Sequence, residues 1–387
     1  MSGRGKASQG TGIAGIGRTV YSRDSGRTTL AMAAEACRAA VADAGVAIGD
    51  VDGMICFQAA SDSVGPLAVS QALGLPELAW NIDTGGGGNV VANVIATAAA
   101  AIEAGLCRSV LVYRSLNGRS GHRFGTATGP LALGGELQFE APHGYLVPPQ
   151  WIAMWARRHQ HEYGSTCEDL GQIAITQRAH AVANTHAINR SPLTMDDYLA
   201  GRWINEPFRV FDCAYEVDGA VAVLLVGGER LADLRQPPVW LVGSADSQSG
   251  FGWTEWDDPT RMYSRYAAPR LWDRTGLGPE DMDVACMYDC FTYTVMATFE
   301  DFGFCGKGEV GEYFAKGRAT YGGDVVVNPH GGLLSEGYIH GLNHYYEAAL
   351  QLRGQAGERQ VDGARLALVT AGAGPYGGAS VLSGQEP

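Results

Sequence analysis

The feature that most constrains this chain is an internal repeat. Residues 45–54 (GVAIGDVDGM) return as residues 276–285 (GLGPEDMDVA), with the glycine and both aspartates, Asp50/Asp281 and Asp52/Asp283, at the same spacing. The first copy follows an alanine-rich helical run over 28–44, for which Gly45 is the stop signal, and leads into an apolar strand over 53–57. Other pairs keep the same order. The glycine turn 85–88, the helical run 90–104 and the strand 109–113 are echoed by 331–332, 343–352 and 366–369; the strand 239–243, entered through Pro237 and Pro238, mirrors 13–17. Alternating strands and helices predict an α/β fold with two mostly parallel sheets, built from two βαβ-rich halves around shared central helices. The halves are set at 12–235 and 236–387, after a polar, disordered tail over 1–11. Residues 115–205, rich in Gly, His, Arg and Trp, break the rhythm and are expected to be an irregular insertion that shapes a binding site.

Composition narrows the function classes. A net charge of −13 repels phosphate backbones and anionic lipid, which argues against nucleic-acid or membrane partners. No apolar stretch reaches the roughly 18 residues of a membrane span. The eight cysteines lie mostly in apolar runs, and no secretory signal opens the chain, so a reducing cytoplasm is expected. The pairs Cys286/Cys290 and His159/His161 have no partners at ligand spacing, and no metal is expected.

Four segments carry a family resemblance: 212–220 (DCAYEVDGA), 288–291 (YDCF), 328–332 (NPHGG) and 337–341 (GYIHG). In order and spacing they resemble the sterol-carrier-type, lipid-transfer branch of the thiolase superfamily, over about residues 12–383. The resemblance implies a five-layered αβαβα fold with a loop-domain insertion. Thiolases place a nucleophilic cysteine where a glycine-rich turn opens the first central helix, because backbone donors and the helix dipole favour a thiolate there. Here that turn reads DTGGGGN over 83–89, and the position falls at about Gly88. The second thiolase cysteine would lie where this chain has Thr370, Ala371 and Gly372. Covalent acyl transfer is therefore not expected.

The two histidines that hold the thioester oxygen in sterol-carrier-type thiolases are matched by Tyr288 and Tyr338. The same departures, with 113–121 (YRSLNGRSG), 303–309 (GFCGKGE) and 338–343 (YIHGLN), resemble the steroid side-chain-cleaving aldolases of bacterial steroid breakdown. That subgroup implies retro-aldol cleavage of a β-hydroxyacyl-CoA, with coenzyme A entering as part of the substrate and no cofactor bound by this chain. It also implies a homodimer joined by a small zinc-containing OB-fold partner in a heterotetramer. Tyr288 is the expected base and Tyr338 the oxyanion donor, with their roles interchangeable. A free phenol is a poor base at neutral pH, so a cationic or hydrogen-bonding neighbour is expected, His330 or His340. Backbone N–H groups of Gly87 and Gly88 are candidate oxyanion donors, and loss of the cysteine is expected to widen the site. Tyr293, Arg119, Arg123 and Asn328 are substrate-binding candidates, with Arg157 and Arg158 as further cations for CoA phosphates. The subgroup's third active-site tyrosine has only Tyr263 and Tyr266 as candidates. Two other readings stay open: a non-catalytic acyl-CoA or lipid-binding protein, and a thiolase-type acyltransferase with an unusual nucleophile, which inactivation by iodoacetamide would reveal.

Overall fold

Both copies of the repeat fold alike. In this computed structural model, which describes residues 10–59, 61–121, 123, 134–135, 137–231, 234–250 and 252–387, helix Thr29–Ala44 stops at Gly45 (φ 75°) and helix Ser264–Thr275 stops at Gly276 (φ 66°). A side chain would strain that left-handed backbone at either position. A single 3₁₀ turn follows each, Ile48–Asp50 and Pro279–Asp281. The second aspartate of each copy then accepts backbone N–H bonds at the start of a distant strand: Asp52 from Arg108 (2.9 Å) and Ser109 (3.0 Å), Asp283 from Arg365 (2.7 Å) and Leu366 (3.0 Å). The repeat thus encodes a helix stop and a strand anchor, twice. Residues 1–9 of the expected tail lie outside the described residues, and Thr11 already belongs to the first strand.

Twelve strands form among the described residues: β1 (Thr11–Arg18), β2 (Gly53–Gln58), β3 (Trp80–Gly85), β4 (Ser109–Asn117), β5 (Trp203–Asn205), β6 (Phe208–Arg209), β7 (Asp218–Gly227), β8 (Val239–Gln248), β9 (Val284–Cys286), β10 (Val326–Val327), β11 (Leu366–Ala373) and β12 (Tyr376–Ser383). Ten of them run in the order β10-β9-β11-β12-β8-β1-β7-β4-β2-β3. Read outward from the centre, the two halves have the same order. The two expected sheets are therefore present but joined, by an antiparallel β1–β8 contact over Gly12–Trp240 and Ile13–Val239. Gly12 permits this approach, since a Cβ there would lie 2.4 Å from the Val239 carbonyl oxygen. Pairing is mixed rather than mostly parallel. The two-residue turn Gly374–Pro375 joins β11 to β12 and forces an antiparallel pair, and β7 runs against both β1 and β4.

Among the described residues three apolar cores hold the five layers together, the middle one covering both faces of the central helices. Helix Thr29–Ala44 covers the outer face of the first half through Ala33, Cys37 and Ala40 against Met54, Leu111 and Tyr113. Helices Val91–Glu103 and Leu342–Leu352 fill the centre, where Ile95, Ala98, Tyr345 and Ala348 meet Ile55, Val112, Val369 and Leu382. Helices Ser264–Thr275 and Thr292–Asp301 cover the far face. The segment expected to be irregular is ordered differently: residues 115–117 complete β4, and helices Pro148–Tyr163, Cys167–Val182 and Met195–Ala200 pack with the β5–β6 ribbon. Capping boxes at Thr166/Asp169 and Thr194/Asp197 start two of these helices. No described helix is long and apolar enough to cross a membrane.

Candidate active site

Loops from both halves converge on a cavity of about 810 Å³. The turn Gly86–Asn89, Tyr288, Cys290 and Phe291 after β9, Tyr338 and His340, and Ala373 and Tyr376 of the β11–β12 hairpin line it. The insertion contributes Trp151, Ile152, Arg202 and Ile204, and Val210 follows just after it. Gly86 and Gly87 take φ of 117° and 55°, which lets the chain turn into helix Val91–Glu103 without side chains.

The Tyr288 and Tyr338 hydroxyls are 3.0 Å apart. A Cβ built on Gly88 would lie 1.8 Å from the Tyr288 hydroxyl oxygen. The expected widening therefore does not occur, because Tyr288, reaching across from the second half, occupies the volume that a residue-88 side chain would fill. Its backbone is held on both sides. Tyr288 N donates to Thr370 Oγ1 (2.8 Å), and the Asn328 amide accepts from Met287 N (2.7 Å) and donates to Met287 O (2.9 Å). Asn328 is thus not among the residues lining the cavity; its amide holds the backbone just before the catalytic candidate.

Burial pushes the Tyr288 phenol well above its ordinary range, with Tyr338 and Cys290 adding to the effect; burial raises Tyr338 as well. Both phenols are protonated at neutral pH. Of the cationic or hydrogen-bonding neighbour expected for Tyr288, the hydrogen-bonding kind is present, as the Tyr338 hydroxyl. His340 is a neutral imidazole, held well below the ordinary histidine range by burial and by Arg114. His330 is outside the cavity, fully buried, with its Nε2 3.1 Å from His344 Nδ1. His330, His344 and Cys286 bring ligand atoms within 4.8 Å of one another, but the two rings are already bonded to each other. Cys286 packs in the central core while Cys290 faces the cavity, so those two cysteines do not act as a pair.

Other expectations resolve by position. Arg119 and Arg123 line the cavity, Arg123 with its Nε 2.6 Å from Glu216. Arg157 and Arg158 lie on a separate surface pocket. Tyr293 is buried away from the cavity, donating to the Pro259 carbonyl (2.8 Å), and Tyr263 is buried against the Gly378 carbonyl (3.3 Å). Tyr266 packs edge-on against Trp256. Among the described residues Tyr215 and Tyr376 also line the cavity, and neither stands shortly after the second half's first strand, where the resemblance put the third tyrosine. The motif aspartates are scaffolding: Asp289 accepts from Leu333 N and Leu334 N, Asp212 from Tyr198 and Thr292, and Asp218 from Ser25, Arg119 and Ser120.

Comparison with known proteins decides the family. Residues 245–382 match the family described as Thiolase C-terminal domain-like. The chain is 38% identical to a "Steroid side-chain-cleaving aldolase" of Thermomonospora curvata, over 94% of this chain and 95% of the relative. It belongs to the thiolase-like steroid side-chain-cleaving aldolases. A second member, the "17-hydroxy-3-oxo-4-pregnene-20-carboxyl-CoA lyase" of Mycobacterium tuberculosis, is 39% identical over 94% of this chain and 96% of its own length. A solved aldolase, "Ltp2-ChsH2(DUF35) aldolase", superposes with a TM-score of 0.91 at 36% identity, covering 97% of this chain and 98% of that one. The aldolase is therefore a carbon–carbon lyase on a thiolase scaffold. Its cavity chemistry departs from a thiolase's at the position where a thiolase's nucleophile would stand.

Proposed function

We propose that this aldolase cleaves the side chain of a steroid CoA thioester whose ring carbon β to the thioester carbonyl bears a hydroxyl, yielding a 17-ketosteroid and propionyl-CoA. The observation that carries the mechanism is the pair of phenol hydroxyls 3.0 Å apart, beside the position where a nucleophile would stand. Neither is a standing base, so the proton moves by relay. One phenol oxygen takes the substrate hydroxyl proton as it passes its own to the second. The carbon–carbon bond breaks, its electrons enter the thioester as an enolate, and the second phenol protonates the α-carbon. One proton travels from oxygen to carbon and no phenolate accumulates, which suits a site where burial disfavours charge. His340 and the N–H groups of Gly87 and Gly88 are the donors for the enolate oxygen. Arg119 and Arg123, which line the cavity, are the proposed contacts for CoA phosphates.

The solved relative is named as a complex with ChsH2(DUF35). We extend this to a DUF35-type partner carrying zinc in its own OB-fold, and to a homodimer through the free edge of β3, giving a cytoplasmic heterotetramer. Cysteine alkylation would not separate a covalent reading from this one, because Cys213 and Cys290 both line the cavity and their alkylation would obstruct it. The deciding experiment supplies the partner and 17-hydroxy-3-oxo-4-pregnene-20-carboxyl-CoA and follows products by mass spectrometry. Cleavage that falls by at least about 100-fold in both Tyr288→Phe and Tyr338→Phe supports the relay. Saturable binding of the thioester with no cleavage would leave a binding protein.

A further inference from the structure

A fully buried arginine from the first half controls the ring of His340 in the second. Arg114, on β4, places Nε 3.0 Å and Nη2 2.9 Å from His340 Nδ1, and Nη2 also pairs with Asp62 in the loop after β2. Asp62 is itself fixed by accepting from Ala59 N (2.9 Å). Guanidinium has donors only, so Nδ1 must be the acceptor and the imidazole proton must sit on Nε2. The backbone agrees with a fixed ring: His340 is held at φ 52°, uncommon for a residue with a side chain. The ring stands beside Tyr338, centroids 4.8 Å apart, and its Cε1 would lie 3.4 Å from a Cβ on Gly87.

We infer that Arg114 and Asp62 are positioning residues for the aldol cleavage, locking His340 as a neutral Nε2–H donor aimed at the substrate's thioester oxygen. This rests on the proposed role of His340 as an oxyanion donor. The charged and titratable groups around the ring are Arg114 from β4, Asp62 from the loop after β2, which reaches it through Arg114, and Tyr338 from its own loop; Tyr288 and Glu216 line the same cavity. Arg114 is the only one that bonds Nδ1 among the described residues. A freed ring could carry its proton on either nitrogen at neutral pH, and half-productive tautomers would lower turnover. Protonation would cure that defect, because imidazolium carries a proton on both nitrogens.

The test measures kcat and KM of Arg114→Gln and Asp62→Asn, each assembled with the partner, between about pH 5.5 and 9. Tautomer mixing alone would cost only about twofold, but the amide oxygen in Arg114→Gln can accept from Nδ1–H and hold the unproductive tautomer, so we expect kcat at about pH 8 to fall roughly tenfold, KM to change less than about twofold, and the deficit to close below about pH 6. Asp62→Asn should move the same way by less. A deficit equal at every pH, or none, overturns the lock. Should Arg114→Gln not fold, the ¹⁵N shifts of the His340 ring in the unmodified protein decide: a proton on Nε2 supports the inference, and a proton on Nδ1 overturns it. The shifts need no substrate, so they stand apart from the Tyr288→Phe and Tyr338→Phe results that judge the relay.

Discussion

Gly88 carries more of the active-site argument than any side chain. Its missing Cβ is the space that the Tyr288 hydroxyl enters, so the glycine and the tyrosine are one structural decision made in two halves of the chain. Restoring a side chain there should therefore not restore thiolase chemistry. Gly88→Cys is expected to displace the phenol, lower aldolase turnover by about 100-fold or more and show no acyl-enzyme on mass spectrometry. A Gly88→Cys protein that retains cleavage would mean the hydroxyl of Tyr288 is not needed at that spot. The tyrosine replacements were legible in the sequence, because a motif position changes type where the flanking residues persist. Their protonation state was not, since burial depends on neighbours that local spacing does not specify.

At the level of elements, buried ionic ties hold the loops that present the site. Glu336, in the loop after β10 that leads to Tyr338, bonds Arg18 of β1 (2.7 Å), Asn184 (3.0 Å) and Asn343 (2.8 Å). Burial alone would raise its carboxyl, but His330 and Arg18 with the two amides hold it down to about 2. A carboxyl depressed in the folded state stabilises the fold above its ordinary titration near 4.5, and that contribution is lost as pH falls from there toward 2. The magnitude is on the order of 3 kcal/mol. Glu336→Gln should unfold at lower urea concentration at neutral pH and show a flatter stability profile between about pH 5 and 3; an unchanged profile would assign acid sensitivity elsewhere. The helix stop at Gly45 was readable because the chemistry is local, and the repeat pointed to its counterpart Gly276. The helices of the insertion were not, because His, Arg and Trp on their faces mask an apolar period that only packing against the second half completes.

Across the whole molecule, the central layer of helices Val91–Glu103 and Leu342–Leu352 packs against strands of both halves, so neither half owns its inner core. Unfolding should be one transition. Ile95→Ala, in the first half and fully buried, is expected to cost about 2–5 kcal/mol and to shift the tryptophan-fluorescence and circular-dichroism midpoints together. Seven of the eight tryptophans lie in the insertion or the second half, so a fluorescence midpoint that stays put while the dichroism moves would show two independent units. What the sequence by itself determined was the duplicated α/β scaffold, the loss of the nucleophile and the paired tyrosines, since repeats, turn glycines and motif substitutions are written in local spacing. Only the tertiary structure decided that Tyr288 fills the volume beside Gly88, that Arg114 governs His340, and that His330, Asn328 and Tyr293 stand outside the cavity. Those relations join residues from different halves, and they arise when buried volume must be filled and buried polar atoms must find partners.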